Sequence, residues 1–224
     1  MTLREVTYFA VILRIIVAAL FGGAIGLERG MKNRPAGLRT YMLVCVGACL
    51  IMLTNQYLWQ VSNAGDPMRL GAQVVSGIGF LGAGTIVVTS HNQIKGLTTA
   101  AGLWASACIG LAVGIGLYEV ALIAGLAVFL VLTVLHECDY YMRRRTRVVD
   151  VYIELDQSVS LGKFIRTLRE RDLEVSNIRR EHDTAYGEEV LSFTATVKGQ
   201  KKTNQAELVR ILKKQEGVKY LEIL

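Results

Sequence analysis

The 224-residue chain is 52% hydrophobic and 20% charged, with a formal net charge of +6, but these averages join two unlike parts. Residues 1–142 hold 8 Lys/Arg and 6 Asp/Glu, whereas residues 143–224 hold 17 and 13, so only the second part has the charge density of a soluble surface. The four cysteines form no C-x-x-C pair and three lie inside apolar segments, so neither a disulfide framework nor a zinc site is suggested.

Five apolar runs follow in chain order, at about 9–27, 39–58, 70–89, 97–115 and 118–136. Each approaches the ~20 residues that a helix needs to cross ~30 Å of hydrocarbon. The first is too long for the apolar region of a signal peptide, and its basic residues follow it, so it reads as a retained span. Arg29, Lys32, Arg34 and Arg39 crowd the connection after span one, and Arg143, Arg144, Arg145 and Arg147 follow span five. The intervening connections alternate poor and rich in cations, which predicts an N-terminus outside and a C-terminal domain in the cytoplasm. This topology accounts for most of the positive charge, so nucleic acid is not implied.

Span three contains "GIGFLGAG", Gly77 to Gly84, which fits the G-x-G-x-x-G pattern of a dinucleotide-binding loop. That reading needs a strand–turn–helix unit and an acidic residue about 20 positions on. The first acid after the run is Glu119, and residues 70–94 carry no formal charge. Gly77, Gly79, Gly82 and Gly84 are instead expected to be a helix-packing face, like Gly22, Gly23, Gly26, Gly110, Gly114 and Gly116. The alternative is that the run breaks span three and lines a path. Cys45 and Cys49 share a helix face as small packing residues. Trp59 suits an interfacial belt, and Trp104 is expected to pack inside the bundle.

After a basic linker at 143–147, residues 148–224 alternate strand and helix periodicities. Val149, Val151, Ile153 and Leu155 alternate with polar residues, and Leu161, Phe164, Ile165 and Leu168 keep helical spacing. Strands at 174–181 and 189–198 flank a turn at Tyr186-Gly187. Asn204 and Glu207 suggest a capping box for a helix at 205–215, stopped by Gly217 before a last strand. The order βαββαβ is that of a ferredoxin-like, ACT-like domain. The fold class expected is therefore an α-helical polytopic bundle (1–142) plus a C-terminal α+β ferredoxin-like domain (148–224). The aromatic pattern of an RNA-binding domain of this class is absent.

The phrases "GLERG…AGLRTYMLVCVGA" (26–48), "DPMRLGAQVVSGIGFLGAGTI" (66–86) and "IKGLTTAAGLWASACIGLAVGIGLYEVAL" (94–122) resemble the MgtC/SapB family of bacterial inner-membrane proteins. The resemblance implies a protein of magnesium homeostasis and of low-magnesium or acid adaptation. It implies a regulator of other membrane machinery, such as ATP synthase or P-type pumps, and no cofactor. Mg²⁺ enters only as ligand or substrate, and the alternative function is a Mg²⁺ or other cation channel. The positions matching the family's motifs are Glu28, Arg39, Asp66, Arg69, Gln73, Lys95, Thr98 and Thr99. No nucleophile–base pair or H-E-x-x-H motif points to an enzyme. Asp66 is the best placed carboxylate for a metal, although Asp66 before Pro67 also reads as a helix cap. A homo-oligomer, through the tail or the glycine faces, is expected alongside the lipid bilayer as partner. Arg14, five residues inside span one, is expected to face inward and pair with Asp66 or Glu119 rather than stand in lipid.

Overall fold

In the computed structural model, the residues described are 5–62, 66, 68–89, 93–135, 138, 142, 147–156, 158–180, 190–199 and 205–224. The chain divides into two compact units, one holding the apolar helices and the other the tail. The first unit contains α1 (Tyr8–Met31), α2 (Leu38–Ser62), α3 (Arg69–Gly84), α4 (Leu97–Gly114) and α5 (Tyr118–Leu130). Among the described residues, four helices are long and apolar enough to cross a membrane: α1, α2, α4, and α5 with its continuation to Leu135. That continuation, Val131–Leu135, is a π-helical turn. There the Thr133 hydroxyl donates to the Phe129 carbonyl at 2.7 Å, the kind of side-chain bond that opens a helical ladder.

The third predicted span is shortened. Its helix has 16 residues, about 24 Å at 1.5 Å per residue, less than the hydrocarbon thickness. Thr85 stops it, with both its N–H (3.0 Å) and its hydroxyl (2.8 Å) donating to the Gly82 carbonyl. The β-branched residues that follow prefer extended backbone. Val87–Val88 (β1) therefore pair antiparallel with Ile94–Lys95 (β2) instead of prolonging the helix. Gly96 closes this ribbon at φ 99°, where a Cβ would collide with the Thr85 carbonyl, so the position demands glycine. The "GIGFLGAG" run is itself helical throughout residues 77–84, and the helix ends directly after it, at Thr85.

The core of this unit is the α1–α2–α4 contact. Ala18, Ile25, Tyr41, Cys45, Cys49, Leu103, Ile109 and Val113 form its apolar centre. Cys45 and Cys49 are buried free thiols, used as packing residues as expected. Trp104 departs from expectation, being 49% exposed. The buried stripe of α4 runs through Thr99, Gly102, Leu103, Ser106, Gly110 and Val113, and Trp104 lies off that stripe.

In the second unit, β3 (Val148–Asp156), α6 (Leu161–Glu170), β4 (Glu174–Arg180), β5 (Val190–Lys198), α7 (Gln205–Lys213) and β6 (Val218–Ile223) give the βαββαβ order. The sheet order is β4-β5-β3-β6 with every neighbouring pair antiparallel, the arrangement of a ferredoxin-like fold. Val149, Val151, Ile153 and Leu155 point into the core, where Phe164 of α6 meets Phe193 of β5 edge-on at 6.0 Å. Ser160 caps α6 by accepting from the Lys163 N–H at 3.3 Å. The turn at Tyr186-Gly187, Asn204 of the capping box and residues 143–146 of the linker lie outside the described residues.

Candidate functional site

Two polar layers interrupt the apolar interior of the bundle, one near each end. The first centres on Arg14 of α1, which is fully buried. A charge at such depth in a spanning helix survives only with polar partners. Its Nη1 donates to Gln56 Oε1 at 2.6 Å and to the Gly114 carbonyl at 2.7 Å, and its Nε donates to the Tyr118 hydroxyl at 3.3 Å. One guanidinium thereby joins α1 to α2, to the last turn of α4 and to the first of α5. The carbonyl at the C-terminus of α4 carries partial negative charge, a favourable place for a cation. The inward orientation matches the sequence reading, and these three bonds go to neutral groups, which a search for countercharges passes over. Depth along the helices would have found them: Gln56 stands about as far from the end of α2 as Arg14 does from the start of α1, and Tyr118 begins α5.

The second layer lies where α1 ends and α2 and α4 begin. Glu28 and Arg29 are 6% and 3% exposed. Lys32 Nζ approaches Glu28 Oε1 at 2.8 Å, and Arg29 Nη1 lies 3.8 Å from Glu28 Oε2. Both Glu28 oxygens and Arg29 Nε lack an aligned hydrogen bond among the described residues, so this triad is held by charge more than by geometry. Arg29 also lies against the Tyr41 hydroxyl. That hydroxyl donates to the Thr99 carbonyl at 3.4 Å, linking the triad to the first turn of α4.

Between the layers, backbone meets backbone. A Cβ on Gly22 would fall 2.6 Å from the Tyr41 carbonyl oxygen, one on Gly26 2.7 Å from Leu38 Cα, and one on Gly114 2.6 Å from the Cys49 carbonyl oxygen. One on Gly110 would collide with the Cys45 carbonyl. Small residues at such spacings let membrane helices approach closely, and α1 and α4 both press on α2 in this way.

The remaining motif positions are scattered. Thr99 is buried in the second layer, while Arg39, Lys95 and Thr98 are exposed. Arg69, Gln73 and Glu119 are exposed too, as is Asp66. The Asp66 carboxylate accepts the Met68 N–H at 2.8 Å, a local turn just before α3; the cap position itself falls on Met68, which has no side-chain cap bond. Among the described residues, no group of three or more His, Cys, Asp or Glu could hold a metal ion. A Cβ on Gly82 would meet Ala100 at an ordinary 3.4 Å, but one on Gly77, Gly79 or Gly84 would meet nothing within 4 Å among the described residues. Among the described residues, Gly82 is the member of the run that faces another helix closely. Tyr41, Gln56 and Tyr118, missed in the sequence reading, belong to the site.

The MgtC family matches residues 15–141, more than half of the chain. The chain is 34% identical over 218 residues to the putative magnesium transporter YhiD of Escherichia coli K12, covering 95% of this chain and 97% of that protein. It is 30% identical over 180 residues to protein SapB of Bacillus subtilis, covering 75% and 76%. Against protein MgtC of Salmonella typhimurium LT2 the identity is 46% over 116 residues, covering 52% and 48%. No solved structure matches. The span of the family match and the near full-length likeness to YhiD lead to one conclusion: this membrane protein belongs to the MgtC family.

Proposed function

We propose that the chain is a bacterial inner-membrane regulator of magnesium homeostasis and of adaptation to low magnesium or acid. It acts on other membrane machinery, ATP synthase or P-type pumps, and its N-terminus lies outside with the tail in the cytoplasm. The observation that carries this reading is the closed α1–α2–α4 interior, where Gly22, Gly26, Gly110 and Gly114 bring backbones into contact. A carrier places its site near the midplane on irregular backbone or converging polar groups. Here the buried charges sit toward the two ends, and the helices run unbroken between them. Co-reconstitution tests the reading. The full chain added to proteoliposomes of ATP synthase, or of a P-type pump, should change ATP-driven transport by at least one of them, and Arg14→Leu should abolish the change. Unaltered transport by both would sink the proposal.

The second reading is a cation path along the open glycine face of α3. It is favoured by the name of the E. coli relative, a putative magnesium transporter, and by the empty space beside Gly77, Gly79 and Gly84.

A further inference from the structure

Helix α3 is the least covered of the five. Only Gly71, Ile78 and Gly82 are buried among its 16 residues, and they form one stripe. Gln73, Ser76, Gly77, Phe80 and Gly84 follow the spacing of another stripe, and all are exposed. Gln73 and Gly77 also line a cleft of about 580 Å³ between α3 and α2, whose α2 wall includes Leu43, Gly47 and Ile51. Gly47 and Gly77 both meet open space, with nothing within 4 Å of an added Cβ.

Gln73 decides what fills this cleft. It begins the second turn of α3, about 6 Å along the helix, and its carboxamide makes no hydrogen bond among the described residues. Lipid chains offer such a group nothing, whereas side-chain amides bond across helix pairs in membranes. A carboxamide carries both donors and an acceptor, so it is its own complement across a two-fold axis. Copies of one chain inserted with the same topology present α3 in parallel, the arrangement in which each residue on a symmetric interface can meet its own copy.

We infer that the α2–α3 cleft receives α3 of a second copy, with the two helices crossing at Gly77 and the two Gln73 side chains hydrogen-bonded across the axis. Gly77 admits the close crossing, Gly47 leaves room on the α2 wall, and the 83% exposed ring of Phe80 packs beside the crossing point. The interface is isologous and therefore closes as a dimer.

The glycines supply a matched pair of variants, since Gly77 and Gly79 are both free of neighbours within the chain. An added Cβ at either meets nothing within 4 Å among the described residues, thermal melts of both variants in detergent check that the single bundle stays folded, and only Gly77 lies at the crossing. Full-length protein, dye-labelled at its C-terminus and diluted into bilayers over a range of protein-to-lipid ratios, is counted by single-molecule photobleaching. The native chain and Gly79→Ile should show two-step bleaching with the same dilution midpoint. Gly77→Ile should be monomeric throughout, and Gln73→Leu should dissociate at a protein density at least fivefold higher than the native chain. Gln73→Asn, which keeps a shorter amide, should fall between. A native chain that bleaches in one step at every density, or a Gly77→Ile variant that dimerises like the native one, overturns the inference. So does equal loss in Gly77→Ile and Gly79→Ile.

Discussion

Two glycine-rich regions of this molecule look alike on paper and behave in opposite ways. In α1 and α4, Gly22, Gly26, Gly110 and Gly114 face the backbone of α2 at distances that exclude even a methyl group. In α3, Gly77, Gly79 and Gly84 come more densely, and an added methyl group at any of them would meet nothing within 4 Å among the described residues. Glycine content therefore marks where a helix can be approached closely, not where it is. The partner surface decides, and for α1 and α4 it is the buried face of α2 through Tyr41, Cys45 and Cys49. For α3 the contact is looser: a Cβ on Gly71 would meet Met52 and one on Gly82 would meet Ala100, both at ordinary distances, and Ile78 packs against Ala48 and Ala107.

The strongest test of that contrast is overpacking. Gly110→Leu drives a side chain into the Cys45 carbonyl, and a core that cannot yield loses about 3 kcal/mol or more. The variant is expected to lose its monodisperse peak in size-exclusion chromatography or to melt far below the native protein. Native-like melting would mean that α2 and α4 are not in contact.

A smaller loss is expected at the polar layer that closes the same three helices. Arg14→Leu removes the charged donor from Gln56 Oε1 and from the buried Gly114 carbonyl, a cost of about 3 kcal/mol for bonds to a charged group. Arg14→Lys should recover part of it, because an ammonium can satisfy one acceptor but lacks the planar fork. Thermal melts in detergent of the two variants against the native chain measure both, and equal stability of all three would contradict the role given to Arg14.

On the α3 side of the comparison the sign reverses. Gly79→Ala meets no neighbour within 4 Å, so the gain in helix propensity of about 1 kcal/mol per residue should leave the protein as stable as before or slightly more so. A loss like that of Gly110→Leu would erase the distinction between the two glycine regions.

The smallest effect lies in the tail. The Asp156 carboxyl is held down to about 2, first by the Ser158 backbone N–H, then by the Ser158 hydroxyl and the Lys219 ammonium. A carboxyl whose folded value is depressed stabilises the fold above its unfolded value of about 3.9. That contribution is lost as pH falls through about 2. Asp156→Asn should therefore flatten the acid limb of tail stability between those values, lowering stability slightly at neutral pH and leaving it unchanged below about pH 2. Urea melts of the full chain across that window, followed by fluorescence of a label on the tail, read it out.

Much of this architecture is legible in the sequence because single residues carry it. Alternating Val149, Val151, Ile153 and Leu155 announce β3, and the strand and helix order of the tail follows residue by residue. Charge-free runs announce the helices to within a few positions. The end of α3 was not legible, because apolar Ile86–Val88 suit a membrane helix as well as a strand. Thr85 and the left-handed Gly96 settle the matter only once the chain has turned. The polar layers were half legible. Arg14 had to be buried against something, but Gln56 and Tyr118 are ordinary polar residues until their depth is known.

The central claim is that this bundle is closed to ions and works on other machinery. The most direct test is Mg²⁺ entry into liposomes that carry the purified full chain and an entrapped magnesium-sensitive dye, under an imposed Mg²⁺ gradient and an inside-negative potential. The account predicts the rate of protein-free liposomes, unchanged by Gly79→Ala. Selective Mg²⁺ entry that scales with the amount of protein would contradict it.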